Sequence, residues 1–186
     1  MLQRDLYQSL RDRALSSHRK IADLARPLDP ERLVRRPPDG GWSVGEVLEH
    51  LCVSEEAYVP LVEAVLRQAR PDAGAPAREW SPTVFGKLLV GSLEGTRRVP
   101  SPKSIRPGTS PRGGVVERFL EQQASLATRL DQAAGYDWRA LKLSSPLVPA
   151  ILRPLARMNL GDVFSVSVVH VERHTLQIER VIAATR

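Results

Sequence analysis

His170 and His174 stand four residues apart in the stretch VVHVERHTLQIERV, residues 168–181. In an α-helix, residues i and i+4 lie one turn above each other on one face, so two imidazoles at this spacing can share one metal ion. The same spacing also describes a solvated pair on a basic helix, and the helical face separates the two readings. Val163, Val166, His170, His174, Ile178 and Val181 follow one line, whereas Glu172, Arg173, Glu179 and Arg180 fall off it. Imidazoles in or beside a core-facing line cost free energy unless hydrogen bonds or a metal satisfy them. His50 repeats the position on another segment, in line with Val47, Ser54, Ala57 and Leu61 and away from Glu49 and Glu56. Three neutral imidazoles from two facing helices leave an open coordination position, the pattern of catalytic rather than structural zinc sites, and imidazole equally suits nickel, iron or copper.

Other polar residues near these positions divide by the tasks they can perform. Gln177, three residues after His174, is either an amide that hydrogen-bonds a ring or a water at the site, or a helix-surface amide. Glu46, one turn before His50, can serve as a base, but a helix-capping role already explains it. Trp42 reads as a hydrophobic staple to the following helix. Arg173 is a candidate for binding an anionic substrate, set against the plainer reading of a solvated arginine. Cys52, the single cysteine, lacks an activating neighbour and reads as a small core residue. His18, in SSHRK, lies among polar neighbours and reads as exposed.

The elements that must position these residues are helices. Leu6, Leu10, Ala14, Ile21 and Leu24 to Ala25 give a period of 3.6 over residues 3–26, closed by Pro27. LDPERLVRRPPDGG is a connector with room for one helical turn. A second helix begins at Ser43, which with Glu46 forms a capping box, and continues through Pro60 to about residue 69. Residues 70–112 are rich in Pro, Gly, Ser and Ala, and only TVFGKLLVGSL offers one or two helical turns there. Val116, Phe119, Leu120, Leu126 and Leu130 define a third helix over about 113–134. A fourth starts at Asn159 or Asp162 and runs to about Ala184. VFSVSVV is β-branched enough for a strand, yet its helical spacing continues for two dozen residues, and no segment alternates with a period of two. The expected fold is all-α, a four-helix bundle with long crossover connections, in a single domain spanning 1–186.

Bulk properties limit the function classes. The 186 residues are 42% hydrophobic and 26% charged, with no apolar run of membrane-spanning length. MLQRDLYQSLRDR is charged throughout and has no signal-peptide core, so a cytoplasmic location is expected. One cysteine allows no intrachain disulfide and at most one thiolate ligand per chain, leaving nitrogen and oxygen donors for any metal. The net charge of +6 is most concentrated around Arg97, Arg98, Lys103, Arg106 and Arg112, which can attract an anionic cosubstrate. That segment has no interleaved aromatics and no reading motif, which argues against nucleic acid.

The combination of GWSVGEVLEHL, a long arginine- and proline-containing connector, and VVHVERHTLQIERV resembles the DinB-like superfamily of four-helix bundles, which includes the YfiT-type metal-dependent hydrolases. The likeness runs from about Leu2 to Ile182 and is most specific at Trp42-Ser43, His50-Leu51, and His170, His174 and Gln177. The resemblance implies that His50, His170 and His174 are the metal ligands, with zinc or nickel as the divalent ion and a homodimer as the assembly. Some members of that superfamily transfer bacillithiol or isomerise maleylpyruvate with mycothiol, and many have no assigned reaction. The expected function is therefore a metal-dependent hydrolase or thiol-dependent transferase acting on a small molecule. A non-catalytic metal- or ligand-binding or stress-related bundle is the alternative, and the residues alone leave both readings open.

Overall fold

The computed structural model describes residues 1–95, 100–108 and 111–185. Six α-helices occur among them: α1 (Gln3–Ala25), α2 (Pro30–Val34), α3 (Val44–Gln68), α4 (Val84–Glu94), α5 (Val115–Ala133) and α6 (Leu160–Ala184). Several starts have a local cause. Ser43 and Glu46 close the expected capping box on α3, Asn159 and Asp162 close another on α6, and Asp29 caps the short α2 with Pro30 in its first turn. Gly114, at φ +66°, turns the chain into α5.

Helices α1, α3, α5 and α6 form a four-helix bundle in which α1 and α3 each pack against both α5 and α6. Side-chain pairs set their directions. Arg13–Glu172 and Lys20–Glu179 advance together, so α1 and α6 run parallel. Glu49–Arg118 and Glu55–Arg129 likewise make α3 and α5 parallel. Tyr7–Asp131 beside Gln3–Tyr136 makes α1 and α5 antiparallel, as do His50–His170 and Glu55–Ser167 for α3 and α6. A parallel α3–α5 pair requires the connection between them to travel back along the bundle, which is the task of residues 69–114. No helix among the described residues is long and apolar enough to cross a membrane.

Two features depart from the sequence reading. Instead of offering one or two turns, TVFGKLLVGSL supplies the Thr83 cap and all but the last residue of an eleven-residue helix, α4, which packs against α6. A single carboxylate ties both helix starts together: Asp162 accepts from the backbone N–H of Asn159 at 2.9 Å, that of Thr83 at 3.1 Å and the Thr83 hydroxyl at 2.7 Å. The approach is so close that a Cβ on Gly86 would lie 2.2 Å from Asp162, and one on Gly161 would lie 2.2 Å from the Trp80 indole. A two-stranded antiparallel ladder, β1 (Lys142–Ser144) with β2 (Arg157–Asn159), was also not expected. Three-residue strands are too short to show alternation.

The buried apolar residues fall into two clusters. One gathers Leu10, Tyr58, Leu126, Trp138 and Phe164; the other gathers Ile21, Val47, Leu48, Phe119 and Ile178. Fully burying such side chains contributes about 1.5–3 kcal/mol each. His50 and His174 lie beside the second cluster, flanked by Leu48 and Leu51 and by Val171 and Ile178, and His170 lies between Val168 of the first and Val171 of the second.

Candidate metal centre

Helix α3 carries His50 and helix α6 carries His170 and His174, and the antiparallel packing of these helices brings the rings together with centroids 4.7 to 4.9 Å apart. His170 Nε2 lies 3.0 Å from His50 Nε2 and 3.1 Å from His174 Nε2. One nitrogen from each ring lies within 4.8 Å of the others, the only such group of three His, Cys, Asp or Glu among the described residues. His18 is half-buried, not exposed, and takes no part.

The opposite ring nitrogens set the proton positions. His50 Nδ1 lies 2.7 Å from the carbonyl oxygen of Ile105, and His174 Nδ1 lies 2.7 Å from Gln177 Oε1. A carbonyl oxygen only accepts, so each Nδ1 carries its proton and each Nε2 presents a lone pair to the centre of the cluster. His170 Nε2 can hold at most one proton, which cannot point well at both neighbours. A divalent cation satisfies all three nitrogens at once. Three nitrogens on a tetrahedral zinc, at bond lengths of about 2.0–2.1 Å, stand about 3.3–3.4 Å apart, a few tenths of an ångström wider than found here. The donor set fits such an ion.

Burial holds the rings neutral. His50 and His174 are 2% and 8% exposed. Burial pushes His174 down to about 3, helped by the neighbouring His50 ring and opposed by the Gln177 hydrogen bond. His170 falls well below the usual histidine range through burial and then through its two neighbours, and His50 falls through burial despite its bond to Ile105. Neutral imidazole is the form that ligates metals.

The cluster lies on the wall of a cavity of about 700 Å³. Helix α4 supplies an apolar side with Phe85, Leu89 and Leu93, and the connector supplies Pro102 and Ile105. Trp42 does more than staple a helix: its ring centroid is 4.9 Å from that of His50 and 6.5 Å from that of His174, which shields both imidazoles from water. Arg173 lines the cavity and donates to the carbonyl oxygen of Leu93 at 2.9 Å and to that of Gly95, so it is a tie to the end of α4 and not a solvated arginine.

Other candidates are committed elsewhere. Glu46 accepts from the Ser43 N–H and from Arg36, as expected for a cap. Cys52 is fully buried, and burial raises its thiol to about 11, which removes it as a nucleophile. In the basic connector, Arg112 is paired with Glu49 and Glu56, and Arg106 donates to the Ser101 carbonyl; Arg97 and Arg98 lie outside the described residues. The sequence reading missed the Ile105 carbonyl, which no side-chain pattern reveals, and the only carboxylate lining the cavity among the described residues, Glu55.

No curated protein matches the chain. Among solved structures it is similar to one described as "YfiT from Bacillus subtilis is a probable metal-dependent hydrolase with an unusual four-helix bundle topology". That likeness has a TM-score of 0.53 at 14% identity and covers 94% of this chain and 85% of the other; it shows the bundle fold. The family model of the DinB superfamily matches residues 15–178, and the chain belongs to that superfamily.

Proposed function

We propose that this chain is a metal-dependent enzyme, a hydrolase or a thiol-dependent transferase, acting on a small molecule in the cavity beside His50, His170 and His174. The observation that carries this reading is the convergence of three Nε2 atoms, two of them with the proton held on the far nitrogen, on the wall of a cavity of about 700 Å³. A divalent ion, zinc or nickel by the family resemblance, would supply Lewis acidity that lowers the pKa of water from 15.7 to about 7 and equally favours the thiolate of a low-molecular-weight thiol. The description of YfiT as a probable metal-dependent hydrolase supports the same reading.

The chain's own residues have defined tasks in it. His50, His170 and His174 hold the ion. The Ile105 carbonyl and Gln177 keep two of the rings in the ligating tautomer, as outer partners of metal-bound histidines do. Trp42 and the α4 wall exclude water and receive the apolar part of the substrate. No general base is required of the protein, in keeping with a cavity whose one described carboxylate, Glu55, is already paired with Arg129.

That same pairing favours the second reading, a metal- or ligand-binding protein without turnover. A panel of esters, amides and electrophiles, each with and without a thiol, offered to metal-loaded protein separates the two. Turnover that disappears in His170→Ala supports the enzyme; metal binding without any turnover supports the alternative. Assembly as a homodimer in the cytoplasm belongs to the same proposal. Val84 and Leu88, one turn apart on α4, are 81% and 68% exposed and offer apolar surface for a second copy. Light scattering that returns a single-chain mass contradicts the dimer.

A further inference from the structure

Between the two apolar clusters, α3 places Ser54 and Glu55 and α5 places Gln123, all buried and none of them part of the metal centre. On α5, Phe119, Gln123, Leu126 and Leu130 follow one buried line, interrupted by the carboxamide of Gln123, which is 4% exposed. Gln123 lines the cavity, its Oε1 has no hydrogen-bond partner, and no described residue bonds to its amide. A buried carbonyl oxygen without a partner destabilises a fold, so the presence of Gln123 Oε1 in a core calls for an explanation. Glu55, just over one turn beyond His50 on α3, lines the same cavity. Its Oε1 accepts from Arg129 at 2.6 Å and its Oε2 from the Ser167 hydroxyl at 3.2 Å. An ionised carboxylate has about four lone-pair sites, so acceptor capacity remains.

We infer that Gln123 and Glu55 form a polar subsite on the inner wall of the cavity, which recognises an uncharged hydrogen-bond-donating group of the substrate, a hydroxyl or a primary amide carried on an apolar body. This rests on the reading that the cavity is the substrate site. Charge decides the class. The Glu55 oxygens and Gln123 Oε1 are acceptors, to which an anion brings no donor, and the Glu55 charge is already offset by Arg129, which leaves a cation little to gain. A neutral donor meets neither penalty and completes the Gln123 amide. The remaining wall, with Phe85, Leu89 and Leu147, suits an apolar body, and the cavity lies within the volume of about 300–1,000 Å³ typical of small-molecule sites.

Benzamide, benzyl alcohol, benzoate and benzylammonium share one ring and differ in the group tested. They are titrated into metal-free, 15N-labelled protein and followed by amide chemical shifts. Benzamide and benzyl alcohol are expected to bind about ten-fold more tightly than the two ions, a difference of one good hydrogen bond, with the Gln123 side-chain amide among the most displaced signals. In Gln123→Leu, which removes the unpartnered amide at similar volume, the melting temperature is expected to rise by a few degrees while benzamide affinity falls about ten-fold. A glutamine with only a structural role would lower the melting temperature when lost. Gln123→Glu serves if the leucine variant does not fold, and is expected to weaken benzamide and strengthen benzylammonium. Equal affinity for all four probes, displacements confined to residues remote from Gln123, or unchanged benzamide affinity in either variant overturns the inference. Because the protein is metal-free, failure of zinc binding leaves these results untouched, and the two readings fail separately.

Discussion

His50 Nδ1 meets the carbonyl oxygen of Ile105 at 2.7 Å, so the last residue of a short 3-10 turn in a proline-rich connector fixes the tautomer of the first of three clustered imidazoles. Ile105 is itself 4% exposed, which anchors that stretch of chain against the bundle. Gln177 performs the equivalent task for His174 from within α6. Removing such outer partners costs about 10–100-fold in metal affinity. Gln177→Ala removes one partner, and Ile105→Gly removes the buried side chain that holds the other partner's carbonyl in place; each is expected to weaken zinc binding, the first within that range, while the far-ultraviolet circular dichroism stays unchanged. Competition with a chromophoric chelator measures it, and wild-type affinity in both variants refutes the assigned tautomers.

The depressed histidines make the metal-free protein acid-sensitive in a defined window. A ring whose folded pKa lies below its unfolded value of about 6.5 leaves the unfolded state with more bound protons, so stability is complete above that value and is lost as pH falls toward the folded one. For His174 the window runs from about 6.5 down to about 3. Between pH 6.5 and 5, this ring alone is expected to remove about 2 kcal/mol of stability. Denaturant titrations of chelator-treated protein at pH 7 and 5 measure the difference, which is expected to shrink in His174→Gln. A pH-independent midpoint across that range contradicts the burial assigned to the rings.

Cys52 is expected to be chemically silent. Its thiol is held near 11 within the apolar cluster, so Ellman's reagent should react with it only after denaturation. Cys52→Ala is expected to leave metal binding at the wild-type level. Rapid labelling of the native protein would place the thiol at a reactive surface instead.

The junction of α4 and α6 is expected to be intolerant of added volume. Gly86→Ala drives a methyl group into the Asp162 carboxylate, and Gly161→Ala drives one into the Trp80 indole. Overpacking of this kind costs about 1–3 kcal/mol. Since α4 walls the cavity, both variants should also weaken small-molecule probes that bind there. Unchanged thermal midpoints in both would mean the junction is looser than described.

Much of this architecture was legible in the residues themselves. Ser43 with Glu46 marked the start of α3, and the apolar lines of α1, α5 and α6 marked the bundle. The histidines were legible for the same reason, because a polar ring in an apolar helical line is visible wherever the helix is. Asn159 and Asp162 were both plausible caps, and the structure uses them reciprocally. What could not be read depends on tertiary contact. Helix α4 contains Gly86 and Gly91, poor helix formers, and is held by Asp162, seventy-six positions after Gly86 in the chain. The Ile105 carbonyl is a backbone group without a sequence signature. Gln123 did interrupt the apolar line of α5, the same signal that identified the histidines, but a single amide points to no chemistry until the cavity beside it is seen.

Zinc and nickel stoichiometry of protein purified without an affinity tag, measured by elemental analysis and by titration calorimetry, tests the central claim most directly. The account expects about one ion per chain in the wild type and almost none in His50→Ala, His170→Ala or His174→Ala, each still helical. A wild-type protein that binds neither ion, or a His50→Ala variant that retains its full complement, would contradict it.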